Sequence, residues 1–451
     1  LISMGTRHFR FLSVLILVVL VGCTSLPFGL GGSAGATPTT INGTQQPTPT
    51  KTVSATQAPT STSSQQAENT PQPNGESVLR IWVPPEFNPQ ASSAAGQMLN
   101  ARLHEFMSAN PGLRLDVRVK ALAGEGGMIE SLVAANVAAP LAVPDLVLLS
   151  RPLLESATLK GLLYPFDGLT GLMDDPNWYD YARQLSRIQS STYGIPVAGD
   201  ALALVYQPVL TETLANTLED LLSLGEPLDY PAADPQALFT ISLYLAQGGR
   251  LQDDQGRPML DKDELINIFE FIKQASEAGM MPTWLTQYAN DSQVWEAFLN
   301  NQYHMAITWV STYLSHLDAT SDGLALTRLP TMSNVPFTLA TGWSWALSSQ
   351  DATRRQLAVR LAEYLADKDF LAQWTSAAGY LPPKKDALQD WQNGQLRSTV
   401  DQISISAELT PPVDMLSSIG PAIEQALVSV LKAQSDPQTA AQAVINQVNR
   451  P

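Results

Sequence analysis

The sequence predicts an α/β protein whose sheet is covered by helices on both faces, carried behind a secretory leader and a polar linker. Three observations lead there. From residue 78 onward, short apolar runs alternate with segments whose apolar residues recur at helical spacing. The chain has 451 residues, 44% of them hydrophobic, enough for two domains with real cores at roughly 100 to 200 residues each. The composition also breaks sharply after Cys23 and again near Ser77.

Arg7, His8 and Arg10 form a basic patch, residues 11–21 are almost wholly apolar, and Gly22 places a small residue before Cys23. This is the three-part layout of a secretory signal. An apolar run of about 11 residues is too short to cross a bilayer as a helix, which needs about 20. Leu20, Val21, Gly22 and Cys23 are similar to the bacterial lipobox, in which the cysteine is acylated and becomes the first mature residue. Residues 1–22 are then a lipoprotein signal peptide; the alternative is an uncleaved anchor. Cys23 is the single cysteine, so no intramolecular disulfide forms. Leu1 ahead of Met4 points to a non-standard start codon or an overextended reading frame.

Residues 23–77 are rich in Thr, Pro, Ser, Gln, Gly and Ala, with charges at Lys51, Glu68 and Glu76. Such a segment buries too little apolar surface to offset its ordering entropy, so a disordered tether is expected. As a coil it would reach about 40 Å. Its Thr and Ser cluster leaves O-glycosylation open.

Residues 78–83 read as a short apolar strand. Leu99, Leu103 and Phe106 then fall at helical spacing, and Asn110, Pro111 and Gly112 end that helix. Leu113, Leu115, Val117 and Val119 alternate with Arg114, Asp116 and Arg118, which predicts a strand with one wet face or at an edge. Ile129, Leu132, Val133 and Val137 return to helical spacing, and residues 146–149 form a continuous apolar strand, as expected between two helical layers. The β-α-β-α-β order implies a mainly parallel sheet with right-handed crossovers. Farther on, Asp261 and Glu264 look like an N-cap and its partner for a helix carrying Leu265, Ile268, Phe269 and Ile272. Leu357, Leu361, Tyr364 and Leu365 mark another helix, and Ile423, Leu427, Val430 and Leu431 a third.

Six segments in order carry a family resemblance: Pro144 and Asp145 with KGLL at 160–163 and Phe166; YGIPVAGDALALVYQ at 193–207; Gly248 and Gly249 with Asp253, Asp254 and Gly256; residues 304–313; residues 341–348; and residues 378–382. They resemble the corresponding segments of family 1 extracellular solute-binding proteins, the maltose-binding-protein-like group of ABC importers, over nearly all of residues 78–451. The resemblance implies a two-lobed periplasmic-binding-protein-like fold of type II with hinge-crossing strands. Its lobes would be 78–205 plus 343–382, and 206–342 plus 383–451. It also implies that the lobes close on a small solute, a sugar or oligosaccharide, and that permease subunits in the membrane read the closed form. The chain would be a monomer held on the outer face of the cell membrane by lipid on Cys23, with no cofactor or metal.

Several candidate residues follow. Trp309 and Trp343 are stacking platforms or hinge packing; Trp345 alternates onto the strand face of Trp343. Asp200, just before the implied crossing, is a ligand carboxylate or a solvated loop acid. Glu86 follows Pro84 and Pro85 at the carboxyl end of the first strand, where open α/β sheets meet ligands. Arg151 donates to the solute or is a surface charge, and Tyr380 lines the rim or packs on a proline. The resemblance has departures: Thr308 stands where the family usually has Gly, Leu149 and Leu238 stand where the maltose-binding relative has aromatics, and no aromatic lies between Pro411 and Pro421.

Other classes find little support. With 26 basic against 42 acidic residues and a net charge of -16, the chain repels phosphate backbones, so a nucleic-acid partner is not expected. His8, His104, His304 and His316 show no metal-ligand spacing, and Ser108 spoils an HExxH beginning at His104. Gly342, Trp343 and Ser344 open like a nucleophile elbow, but Ala346 replaces its final glycine. The alternatives left open are a cell-surface carbohydrate-active enzyme, whose carboxylate pair is decided by spacing in three dimensions and not by counting acidic residues, and a structural surface lipoprotein.

Overall fold

A computed structural model describes residues 77–210, 216–300, 304–317 and 323–449. The leader, the tether and Cys23 lie outside the described residues. The chain opens as expected with β1 (Ser77–Val83), α1 (Ala94–Ala109), β2 (Leu113–Val119), α2 (Met128–Ala138) and β3 (Leu146–Ser150). Then come α3 (Arg151–Leu159), α4 (Asp180–Ser186), the short β4 (Arg187–Ile188) and β5 (Ser191–Thr192), and the long β6 (Ile195–Tyr206). The middle of the chain holds α5 (Leu218–Leu224), β7 (Leu228–Asp229), α6 (Leu238–Ala246), α7 (Lys262–Glu277), α8 (Asp291–Leu299), β8 (Met305–Trp309), α9 (Val310–His316) and β9 (Ala325–Arg328). The second long strand, β10 (Thr338–Leu347), leads to α10 (Ala352–Leu365), α11 (Lys368–Ala378), α12 (Lys385–Gln389), α13 (Gly394–Ile405), β11 (Ala407–Leu409), α14 (Val413–Leu431) and α15 (Pro437–Val448).

The strands follow the order β2-β1-β3-β10-β6-β8-β7, with β11 on β10 and β9 on β6. The expected parallel pairing holds for β2-β1-β3 and for β7-β8. It fails at the centre, where β10 runs antiparallel to both β3 and β6, and β6 antiparallel to β8 and β9. The reason is topological: β6 leaves the first lobe for the second and β10 returns, so the two must run in opposite directions. Their pairing ends at Ala201 and Ala340, beyond which β9 takes the edge of β6 and β11 that of β10.

Local chemistry explains the ends of these elements. Ser93 caps α1 by accepting from the Gly96 amide, and Thr217 with Asp220 forms a reciprocal capping box on α5. Asp261 does occupy the N-cap position of α7, but its side chain makes no cap bond. Its carboxylate instead accepts from the Arg250 amide at 3.1 Å and the Tyr244 hydroxyl at 3.3 Å. In α2 the helical spacing is right, yet Val133 and Val137 are exposed while Ile129 and Leu132 are buried.

β3 is buried on both faces: Leu146 and Leu148 join one apolar cluster and Val147 and Leu149 another, which is why its sequence reads as an unbroken apolar run. The largest cluster starts in the first lobe and continues through Ala201, Ala203 and Val205 of the crossing to Trp295, Phe298 and Tyr313. A third cluster, built on Leu202, Leu204, Met305 and Ile307 with α6, α7, α14 and α15, fills the opposite side of the second lobe. Among the described residues no helix is long and apolar enough to cross a membrane.

Candidate functional site

Register places the site. Directly paired residues of neighbouring strands project to the same face of a sheet. Trp343 pairs with Ala198, Thr341 with Asp200, and Trp309 with Leu202. One face of the crossing therefore carries Trp343, then Thr341 and Asp200, then Leu202 and Trp309. The opposite face carries Gly342 beside Gly199 and Ala340 beside Ala201. A side chain at Gly199 would collide with the Tyr181 hydroxyl, and one at Gly342 with the Ala198 carbonyl oxygen and Leu185. Small residues let α4 lie directly on the back of the crossing.

Two cavities open on the Trp309 side. One, of about 290 Å³, is lined by Leu202, Asp234, Gln236, Leu238, Asp291 and Trp309 among others. The second, of about 180 Å³, brings Arg151, Pro152 and Glu155 of α3 against Gln236, Leu238, Trp309 and Leu416, with Thr341 and Thr410 alongside. Gln236, Leu238 and Trp309 line both. A larger depression of about 880 Å³ lies between α1, α11 and the α12-α13 turn, but its aromatic residue, Trp391, is buried and donates its indole N–H to the Ala372 carbonyl. It offers no ring face to a solute.

Trp309 is half-buried, and its amide donates to Asp291. Asp291 also accepts from the Thr308 and Thr312 hydroxyls, and burial pushes its carboxyl up. Trp343 is half-buried with its ring edge-on to Phe87 at 5.0 Å, and Phe87 packs on Tyr380 at 5.5 Å. Tyr380 is thus held against an aromatic ring. Burial raises its phenol, and the charges of Asp200 and Glu86 add to the rise. Glu86 itself is exposed beside this aromatic group.

Asp200 is neither a loop acid nor a freely presented carboxylate. It lies within β6, 8% exposed, and accepts from the amides of Ala201 (2.9 Å) and Ser311 (3.0 Å) and from the Ser311 hydroxyl (2.5 Å). Three of about four acceptor positions on the carboxylate are used within the protein. Burial pushes its pKa up to about 7, Asp291 adds to the rise, and these hydrogen bonds oppose it.

Arg151 is not a surface charge: it is 9% exposed. Its Nε pairs with Glu155 at 2.7 Å, and its Nη1 donates to the carbonyls of Gln184, Leu185 and Arg187. Those carbonyls close α4, so the guanidinium fixes that helix's end at the cavity wall. Trp345 must be removed from the candidate set. It shares the strand face of Trp343, but two residues deeper it pairs with Leu148 and Ile195 inside the core and is 3% exposed.

The sequence reading missed Gln236, Leu238 as a wall, Asp291, Thr341 and Glu155. Asn290, the N-cap of α8, and Asp234, whose carboxylate holds the turn leading into α6, were the available signals. Asp234 accepts from the amides of Gln236 (2.9 Å) and Leu238 (3.0 Å), and Asn290 from that of Gln293 (3.1 Å).

A two-lobed α/β fold with cavities at the strand crossing defines a class of binding protein, and the sequence places the chain within it. Residues 101–398 match the family model described as bacterial extracellular solute-binding protein, and the chain belongs to that family. Among solved structures it is similar to a cyclo/maltodextrin-binding protein complexed with maltotetraose, at 18% identity and a TM-score of 0.68 over 84% of this chain and 98% of that one. It is also similar to the sugar-binding protein MalE of Xanthomonas citri, at 17% identity and a TM-score of 0.68 over 83% and 96% of the chains. A third is the ABC transporter solute-binding protein of Thermotoga lettingae bound with α-D-tagatose, at 19% identity and a TM-score of 0.60 over 83% and 99%. No curated protein matches the sequence.

Proposed function

We propose that the chain captures a small carbohydrate between its lobes and delivers it to the permease of an ABC importer. The observation that carries this reading is Trp309: its indole lines both cavities, opposite Arg151 and Glu155 of the other lobe. A flat apolar face with hydrogen-bonding groups around it suits a pyranose, whose C–H face stacks while its hydroxyls reach Gln236, Thr341 and Thr410. Trp343, Tyr380 and Glu86 form the first lobe's share of the site, and Asp200 and Arg151 hold its framework. The lobes divide within β6 and β10, as 78–205 plus 343–382 and 206–342 plus 383–451. Sugar-bound structural neighbours support the solute class.

The solute acts by population shift, because contacts from both lobes at once exist only in the closed state. No chemical step belongs to this role. The basic patch, apolar run and lipobox-like residues 20–23 support a leader cleaved before an acylated Cys23, which would hold a monomer outside the cell by its tether. A thermal-shift panel of sugars tests the function. A bound sugar at 100 times its dissociation constant should add about 2.7 kcal/mol of stability. Conversion of that sugar to product would favour an enzyme, and stabilisation only by non-sugar solutes would overturn the carbohydrate reading. Mass analysis of the mature N-terminus, with Cys23→Ser as control, tests the anchor.

A further inference from the structure

Resting on the carbohydrate reading above, we propose that the site admits a sugar of one or two rings and shuts out longer oligosaccharides. The wall that does this is the turn at 234–238. Asp234 holds it from inside, with one carboxylate oxygen on the Gln236 amide at 2.9 Å and the other on the Leu238 amide at 3.0 Å. Between them Ala237 sits at φ 50°, ψ 36°. This left-handed conformation costs a non-glycine residue about 1 kcal/mol or more, and such strain persists only where the surroundings impose it.

The surroundings here are α14. A side chain at Gly420 would run into the Pro235 carbonyl oxygen and come within 2.9 Å of the Gln236 Cα, so helix backbone and turn backbone touch directly. Leu416 lines the smaller cavity, and Gly420 lies four residues on along the same helical face. The cavity therefore ends within about one helical turn, ~5.4 Å, of Leu416. There the groove between α14 and the turn closes, backbone against backbone.

The supply of ring faces sets the same limit. The two cavities, about 290 and 180 Å³, share Gln236, Leu238 and Trp309, and together they lie only at the lower end of the roughly 300 to 1,000 Å³ of sites for drug-sized ligands. Their aromatic residues are Trp309 and Phe239, and Phe239 is 5% exposed, which leaves Trp309 as the one open face. Along the crossing the next ring is Trp343, on the same sheet face. Tyr380 packs on Phe87 beside Trp343 and adds no separate stacking position, so two faces serve two rings, and a third ring beyond Trp309 would have to pass the 234–238 turn.

The test is calorimetric titration of the full chain with D-glucose, D-tagatose, maltose, trehalose, maltotriose and maltotetraose. The expected result is binding of a mono- or disaccharide, with maltotetraose at least 100-fold weaker. Maltotetraose binding as tightly as the best short sugar overturns the length limit and leaves the carbohydrate reading standing. Failure of every sugar in the series overturns that reading and the limit with it. Asp234→Ala frees the turn: the ratio of maltotetraose to short-sugar dissociation constants should fall at least tenfold. An equal loss for both sugars would show that the turn supports the fold without setting length.

Discussion

Replacing Asp200 by Asn removes a charge from the strand that crosses between the lobes and keeps the side chain's shape. Burial raises the carboxyl from 3.8 to about 7 against the opposing hydrogen bonds from Ser311 and Ala201. The folded chain thus holds this proton more tightly than the unfolded chain does. The stability gained from it is complete below pH 3.8 and is lost as the pH rises through about 7. At about 1.36 kcal/mol per pH unit, the two limits differ by roughly 4 kcal/mol, of which more than half falls between pH 5 and pH 8. In Asp200→Asn the carboxamide oxygen can accept from the Ala201 and Ser311 amides, and its nitrogen can donate to the Ser311 hydroxyl, so packing is kept without titration. Asp229, also raised by burial, titrates in both proteins and drops out of the comparison. Urea unfolding at pH 5, 6, 7 and 8 should show wild type losing roughly 2 to 3 kcal/mol relative to the variant across that range. Parallel pH profiles for the two proteins would refute the argument, because they would mean that folding leaves the Asp200 proton unaffected.

Trp309→Ala should weaken sugar binding at least tenfold while far-UV circular dichroism and cooperative unfolding persist; unchanged affinity removes the indole from the site. Arg151→Met breaks the Glu155 pair and three carbonyl hydrogen bonds, and a loss of about 3 kcal/mol in urea unfolding is expected. A shift below 1 kcal/mol would show that α4 ends equally well without it. Gly342→Ala places a methyl against the Ala198 carbonyl oxygen of the paired strand, where backbone on both sides blocks relief. It should cost more than about 2 kcal/mol, and a neutral result would mean the crossing strands separate easily. Galacturonate should bind at least tenfold more weakly than galactose, since Asp234, Asp291 and Glu155 line the cavities and Arg151, already paired, is the one cation among the lining residues.

The local part of the fold was legible where one physical signal dominated. Residues 77–83, 113–119 and 146–150 are strands where the apolar patterns place them, and the alternation of Leu113 to Val119 correctly marks an edge strand. Orientation was not legible. The antiparallel pairing of β10 with β3 and β6 joins residues far apart in sequence, and no local pattern records which way a returning strand runs. Asp261 shows a subtler limit. Its position announces a cap, but a caps-only reading cannot know that the Tyr244 hydroxyl and the Arg250 amide compete for the same carboxylate.

The site was half legible for a related reason. Aromatic residues on a crossing strand announce themselves, so Trp309 and Trp343 could be named, but depth along the strand could not. Trp343 and Trp345 obey the same alternation, and only the cover supplied by Leu148 and Ile195 separates a half-buried residue from a core residue. Charged residues misled in the opposite direction. Asp200 and Arg151 looked like groups offered to a ligand, whereas the fold uses most of their hydrogen-bonding capacity to fix Ser311 and the end of α4. The uncharged polar groups on the cavity walls, Gln236 and Thr341, are ordinary in sequence. They matter because the Asp234 turn and the strand register bring them to Trp309. Asp200 and Arg151 meet most of the cost of their burial through hydrogen bonds inside the fold, and uncharged Gln236 and Thr341 stand beside Trp309 on the cavity walls.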